Sequence, residues 1–363
     1  MKKLSLLAVL ILITLSIWFS IKETKAPPSS DKPIIKIGAT LPLSGTFTNV
    51  GVSLRNTFLL AQDDLKKRDT KYNYEFIIED DAFDAKRVIS NFRKFQSIDK
   101  TDAVISFASM TGNIISPLTE KNKIIYINFG ASDKKVADGK YNFIHWNMPD
   151  TIADGMIDFY KKQNIKKVAF IVENDSGVIT IEKSFTQKLK DTNIESKTYI
   201  VQPGEKDFRL LLQKIEHNDN PDIYLVMIWT ESLSLFIKQY HEAGINKLIT
   251  NLETFATVEN KSIIEGSYYV DSAQSSDELT TRLRQSYPNS SSEFATGNVY
   301  DAIMLIVTAF EQAETKEQAV DKLSSFKTFP GISRELTQDD IGIFSSQAII
   351  KHIKNGQTIT FKE

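Results

Sequence analysis

The feature that most limits what this chain can become is an alternation. Short apolar runs recur along it, and between them apolar residues return every three or four positions. Ile34–Thr40 reads as a strand, and Leu54, Phe58, Ala61 and Leu65 then fall on one helical face. Tyr74–Glu79 is strand-like. Val88, Ile89, Phe92, Phe95 and Ile98 form a second helical stripe, with Asp84 placed to cap its start. Asp102–Phe107 and Lys123–Asn128 read as strands, with a helix expected over Asn113–Lys121. Strand followed by helix at this spacing predicts a parallel sheet covered on both faces.

The alternation breaks at Lys140–Pro149, which reads as irregular, and then resumes. Helices are expected at Thr151–Gln163, Thr180–Lys190 and Ser232–Ala243, and around Phe208, Leu211, Leu212 and Ile215. Strands are expected at Lys167–Val172, Ser196–Val201, Asp222–Ile228, Lys247–Asn251 and Gly266–Asp271, and a long helix at Thr296–Glu314. The tail after Gly331 carries short β-type segments, and Asn355-Gly356 is a hairpin signal. Two α/β blocks of similar size predict two similarly built lobes.

Ahead of these blocks stands Met1-Lys2-Lys3, then an 18-residue apolar run from Leu4 to Ile21, then a polar Pro/Ser-rich linker to Lys32. That order is an export signal. Cleavage would want small residues before the cut, and Thr24-Lys25-Ala26 before Pro27 is a poor site. The run is also near the lower length limit for a spanning helix. Residues 1–32 therefore read as either a cleaved signal or a retained anchor, each followed by a linker. Both readings place the bulk of the chain on the periplasmic or extracellular side of the membrane. Contact with the membrane is expected only through residues 4–21.

Several chemistries have no support. A net charge of −2 offers no global field for nucleic acid. There is no cysteine, so disulfides, thiolate catalysis and sulfur-ligated metals are excluded together. The four histidines, at 145, 217, 241 and 352, have no ligand spacing, so no metal is expected. No phosphate-cradling glycine loop and no nucleophile elbow is present. No cofactor is expected. Glu79-Asp80-Asp81 with Asp84 lacks calcium-loop spacing and reads as capping and loop chemistry. Exported α/β architecture without catalytic machinery points to binding.

Specific stretches carry a resemblance. IGATLPLSGTFTNVG from Ile37, YEFIIEDDAFDAKRV from Tyr74, VISFASMTGNIISPLT from Val104 and KIIYINFGASD from Lys123 come in one order. DFRLLL from Asp207, PDIYLVMIWTESLSLFIKQYHEAG from Pro221 and NVYDAIML from Asn298 follow. Together they resemble the type I periplasmic solute-binding proteins, in particular the branched-chain amino-acid (leucine-binding protein-like) receptors of ABC transporters. The resemblance covers nearly the whole chain after Lys32.

It implies two lobes, each a doubly wound, mostly parallel sheet with flanking helices, joined by three crossings. These would fall near Asn147–Asp150, Asn251–Thr254 and Phe329–Arg334. Lobe 1 would be 33–148 with 252–330, and lobe 2 would be 149–251 with 331–363. The ligand would lie between the lobes, outside the carboxyl ends of the strands, where open α/β sheets bind. It would be a small molecule bearing a carboxylate, an amino acid or a relative, passed to an ABC transporter permease. A sensing module of the same fold, without a transport role, is the alternative.

The resemblance also implies site residues. Ser109, Thr111, Ala131 and Ser132 would clamp the carboxylate with hydroxyls and helix-start N–H groups. Ordinary helix capping is their plain alternative. Glu253 would face an α-amino group, and Trp229 would stack on the ligand. Ser44 and Phe47, in the loop after the first strand, would point at the mouth, with Phe47 covering the ligand's side chain. Asp175 would reach the cleft. The pattern departs from the family where no tyrosine stands in Glu173–Gly177, where Met110 interrupts the clamp, and where Phe129 precedes Gly130-Ala131.

Overall fold

The computed structural model describes residues 32–258, 260–272 and 275–361. The apolar 4–21 run therefore lies outside the described residues, and among those described no helix is long and apolar enough to cross a membrane. The folded unit begins at Ile34.

Two sheets organise it. In the first, β1 (Ile34–Leu41), β2 (Asn73–Asp80), β3 (Ala103–Phe107), β4 (Ile125–Phe129) and β5 (Asn142–His145) run parallel in the order β2-β1-β3-β4-β5. In the second, β6 (Lys167–Glu173), β7 (Glu195–Val201), β8 (Ile223–Met227), β9 (Leu248–Leu252) and β10 (Tyr268–Asp271) repeat that order as β7-β6-β8-β9-β10, again parallel. Each sheet therefore has a switch point, between β1 and β3 and between β6 and β8. There successive connections leave on opposite faces and a crevice opens at the strand ends.

Both faces of the second sheet are covered at its central strands, so β6 is buried beyond its first residue and β8 throughout. Along β6, Val168, Phe170 and Val172 enter one core cluster, while Ala169 and Ile171 enter the other. This is the two-residue period of a strand buried on both sides.

Helices fill the crossovers: α1 (Thr48–Lys66), α2 (Ala85–Lys94), α3 (Ala108–Asn122), α4 (Pro149–Lys162), α5 (Ser176–Leu189), α6 (Arg209–Asn218) and α7 (Thr230–Glu242). Asp84 caps α2, its Oδ1 accepting from the N–H groups of Lys86 and Arg87. After β10 come α8 (Asp277–Ser286), α9 (Thr296–Glu311) and α10 (Lys316–Ser325). Their buried residues join the core of the first sheet.

Three short strands, β11 (Thr328–Pro330), β12 (Glu335–Gln338) and β13 (Ile343–Ser345), extend the first sheet beyond β5. Finally β14 (Ile349–Lys354) and β15 (Gln357–Thr360) extend the second beyond β10. Asn355 and Gly356 join them with φ of 54° and 67°, the left-handed pair a two-residue hairpin requires.

The chain changes sheet between His145 and Lys167, between Asp271 and Asp277, and between Ser345 and Ile349. Two expected crossings are thereby corrected. The one near Asn251–Thr254 falls too early, because β10 still pairs with β9, Tyr268 opposite Thr250. The one near Phe329–Arg334 also falls too early, because β11–β13 remain in the first sheet. Residues 252–271 thus stay with the second sheet and 331–345 with the first. These strands are only three or four residues long, too short for periodicity to assign them to a sheet.

The stretch expected to be irregular, 140–149, contains β5. Its polar residue Asn142 is buried but satisfied, donating to the carbonyls of Ser116 and Asp138 and accepting from Thr119 Oγ1. A polar residue met within the core obscured the strand.

Candidate functional site

The strand ends at both switch points face each other across a cleft. From the first sheet come the loop after β1 with Phe47, the start of α3 with Ser109, and the loop after β4 with Ser132. From the second come Asp175 and Gly177 after β6, Trp229 after β8, and Glu253 after β9. All of them line one inner cavity of about 30 Å³. An outer cavity of about 380 Å³ at the mouth shares Phe47, Phe83, Asp175 and Trp229 with it.

The backbone around the inner cavity is strained. Phe83, Ala108 and Glu253 have φ of 57°, 70° and 83°, a region side-chain-bearing residues rarely occupy. Such conformations cost of order 1–3 kcal/mol each and concentrate at binding sites.

Ser109 and Ser132 are both buried and act as a unit. The Ser132 N–H donates to Ser109 Oγ at 2.9 Å, which ties the start of α3 to the loop after β4. Ser109 lies in the first turn of α3, whose N–H groups have no partner within the helix.

Thr111 does not belong with them. Helix α3 begins at Ala108, whereas the sequence pattern places its start near Asn113. Two residues apart on a helix, side chains diverge by about 200°, so when Ser109 faces the cleft Thr111 faces the lobe interior. Its hydroxyl donates to the carbonyls of Phe107 and Ala108 and meets Ser106 Oγ at 3.1 Å. Ala131 is fully buried in the core of the first sheet and does not line the cavity. Ser44 is exposed, and its Oγ donates to Asp80 Oδ2 at 2.6 Å. It serves the acidic loop, not the mouth. Asp80 also accepts from the N–H groups of Leu43, Ser44 and Ala82, so this acidic stretch is turn chemistry.

Asp175 reaches the cavity but is engaged as the cap of α5, its Oδ1 accepting from Gly177 and Val178 N–H at 2.9 and 3.1 Å. Trp229 stands between two rings from the first sheet's side. Its centroid is 5.8 Å from that of Phe47 and 6.0 Å from that of Phe294, both edge-on.

Glu253 is 4% exposed, and its Oε1 accepts from Trp146 Nε1 at 3.0 Å. Burial pushes its carboxyl up to about 8, with nearby Asp271 adding to the rise and the Trp146 indole opposing it.

Sequence reasoning missed Glu173, Trp146 and Phe294. Glu173 is the last residue of β6 and 7% exposed. Its Oε2 accepts from the Trp229 N–H at 3.3 Å, and burial, with Asp175 nearby, pushes it up to about 7. A carboxylate directly following an apolar strand was the available signal. Trp146 and Phe294 gave none, because each sits in a stretch without periodicity. Among the described residues no cluster of His, Asp or Glu could hold a metal ion.

The arrangement offers hydroxyls and N–H donors on one side, a buried acid on the other, and aromatic walls between. It is equipped to hold a small polar molecule, and among the described residues no nucleophile–base pair stands in it.

Comparison with known proteins agrees. A family model described as periplasmic binding protein matches residues 34–350. No curated protein sequence matches the chain. Among solved structures, the leucine-binding protein LivK of Thermotoga maritima MSB8 superposes with a TM-score of 0.80 at 18% identity, covering 90% of this chain and 98% of that one. The branched-chain amino-acid substrate-binding protein LivJ of Streptococcus pneumoniae, in complex with isoleucine, gives 0.80 at 20% identity over 91% and 100%. An ABC-transporter solute-binding protein of Rhodopseudomonas palustris BisB5, in complex with 3,4-dihydroxybenzoic acid, gives 0.79 at 16% identity over 90% and 96%. At these identities the likeness is one of fold.

Proposed function

This chain belongs to the periplasmic binding protein family, and from that premise we propose that it is a non-catalytic extracytoplasmic receptor for an ABC transporter. It captures a small carboxylate-bearing amine, an amino acid or close relative, between its lobes. Ser109 and Ser132, with the first N–H groups of α3, take the carboxylate. Glu253 takes the amine. Phe47 and Trp229 enclose the remainder.

One observation carries this reading: Glu253 is buried at the cavity wall, and no lysine, arginine or histidine among the described residues pairs with it. Buried acids in folded proteins have cationic partners or stay neutral. A ligand ammonium supplies that partner. A plain aromatic acid, of the kind the Rhodopseudomonas palustris protein holds, would place its carboxylate on the serines and leave Glu253 unmatched.

Calorimetric titration of the full-length chain against amino acids and against matched acids lacking the amine tests this. Heat with amino acids, and at least tenfold weaker binding of the deaminated acids, is the expected result. Equal binding of both sets would mean that Glu253 does not hold an ammonium.

A further inference from the structure

We propose that the outer cavity seats a second, positively charged group of the ligand, which makes the ligand class an amino acid with a cationic side chain, its α-amine at Glu253 and its distal cation at Glu173. This rests on the amino-acid reading above and narrows it.

Glu173 lines the outer cavity and is 7% exposed. Among the described residues, only one of its carboxylate oxygens has a partner, the Trp229 N–H. No lysine, arginine or histidine among the described residues forms an ion pair with it. Among the described residues the cleft therefore holds two buried acids, Glu253 within and Glu173 at the mouth, and neither forms an ion pair with a basic residue. A buried carboxylate without a cation loses hydration that a single hydrogen bond does not repay. The upward push on both groups, caused chiefly by burial, is the physical sign of that deficit.

A ligand with one ammonium answers one of these acids. A ligand with two answers both. The walls fit the same chemistry, because Phe47, Phe83 and Trp229 line the outer cavity with Glu173. Phe47 and Phe83 lie 4.9 Å apart between centroids. Ring faces beside a buried carboxylate attract an organic cation. Asp175, on the same loop, adds negative charge. Among the described residues, Lys206 is the one cation on the cavity lining, and it is exposed, where water screens it.

Lysine and norleucine differ only by the terminal amine, so they isolate the outer cavity. Tryptophan fluorescence or calorimetric titration of the full-length chain with both is the measurement, repeated on Glu173→Gln. Lysine is expected to bind at least tenfold more tightly than norleucine, and the variant is expected to bring that ratio close to one. Norleucine binding as tightly as lysine to the natural chain overturns the outer cation seat while leaving the amino-acid reading intact. An unchanged ratio in Glu173→Gln likewise removes Glu173 from the site. No binding of either amino acid, with binding of a carboxylate lacking the amine, overturns both readings.

Discussion

The Cβ that Gly177 lacks would stand 3.4 Å from Ser109 Oγ and 3.2 Å from Asp175 Oδ1. Gly177 lies in the first turn of α5, packed with the second sheet, and Ser109 lies in the first turn of α3, packed with the first. The two helix starts thus meet across the cleft closely enough that a methyl group at Gly177 would touch the Ser109 hydroxyl. The lobes touch at this point, and the hydroxyl proposed to take the ligand's carboxylate is at the contact.

A branched side chain at this position should hold the lobes apart. Gly177→Val adds two methyl groups beyond a Cβ that already touches the Ser109 hydroxyl, and close-packed interfaces do not absorb such a volume without displacement. Ligand affinity is expected to fall at least tenfold. The melting temperature should fall only modestly, because the one crowded contact within the lobe is with Asp175 Oδ1, the cap of α5, at 3.2 Å. An affinity within twofold of the natural chain would mean that this contact does not limit closure.

Ser109 and Ser132 should separate by a stability measurement. Ser109→Ala removes the acceptor of the buried Ser132 N–H and should cost about 1–3 kcal/mol of folding stability as well as ligand affinity. Ser132→Ala leaves that backbone bond in place, so it should weaken binding with little loss of stability. Denaturant unfolding beside titration distinguishes them, and equal stabilities would show that the bond contributes nothing. Thr111→Val is the control, since its hydroxyl is spent inside α3. It should lower stability and leave affinity as it is.

How far the sequence reveals this site depends on where each residue acts. The repeated strand–helix alternation was legible because burying a parallel sheet on both faces demands long apolar runs. The family resemblance named Ser109, Ser132, Asp175, Trp229 and Glu253, and all five line the inner cavity. Thr111 was misread because the helix start was displaced by five residues, and a shift of that size changes which side chains share a face. Trp146 and Phe294 could not be found. They reach the cavity through the core of the first sheet, where they pack on each other, and no local period records that. Glu173 was open to discovery, and its place at the end of β6 was overlooked beside the Asp175 motif.

Trp229 should report closure. It stands edge-on to Phe47 and Phe294 across the cleft, and aromatic pairs of this kind contribute about 0.5–1.5 kcal/mol each beyond buried area. Trp229→Leu keeps an apolar filler but removes both ring contacts. Affinity is expected to drop about tenfold or more, and the fluorescence change on ligand addition should be lost or much reduced. A variant with undiminished affinity would assign Trp229 to lobe packing alone.

The pH dependence of stability should carry the mark of Glu253. Burial raises its carboxyl from the ordinary 4.5 to about 8, so between these values the native state holds a proton that the unfolded chain releases. Stability changes with pH in proportion to protons bound in the unfolded state minus those bound in the native state. That difference is negative here, so the contribution is complete below about pH 4.5 and is lost as pH rises towards 8. The slope reaches at most about 1.4 kcal/mol per pH unit. Glu173, raised to about 7, acts in the same direction over a narrower window. Glu253→Gln keeps the shape and the acceptor for Trp146 but cannot ionise. Urea unfolding at intervals from pH 5 to pH 8 should therefore show the variant gaining on the natural chain as pH rises. A constant difference across the series would mean that Glu253 is ionised in the native protein throughout that range. Addition of an amino-acid ligand should lower the carboxyl towards its ordinary value and flatten the natural chain's profile, with release of protons on binding at pH 7. Calorimetry in two buffers of different ionisation enthalpy measures that release, and the Glu253→Gln variant should release fewer protons than the natural chain.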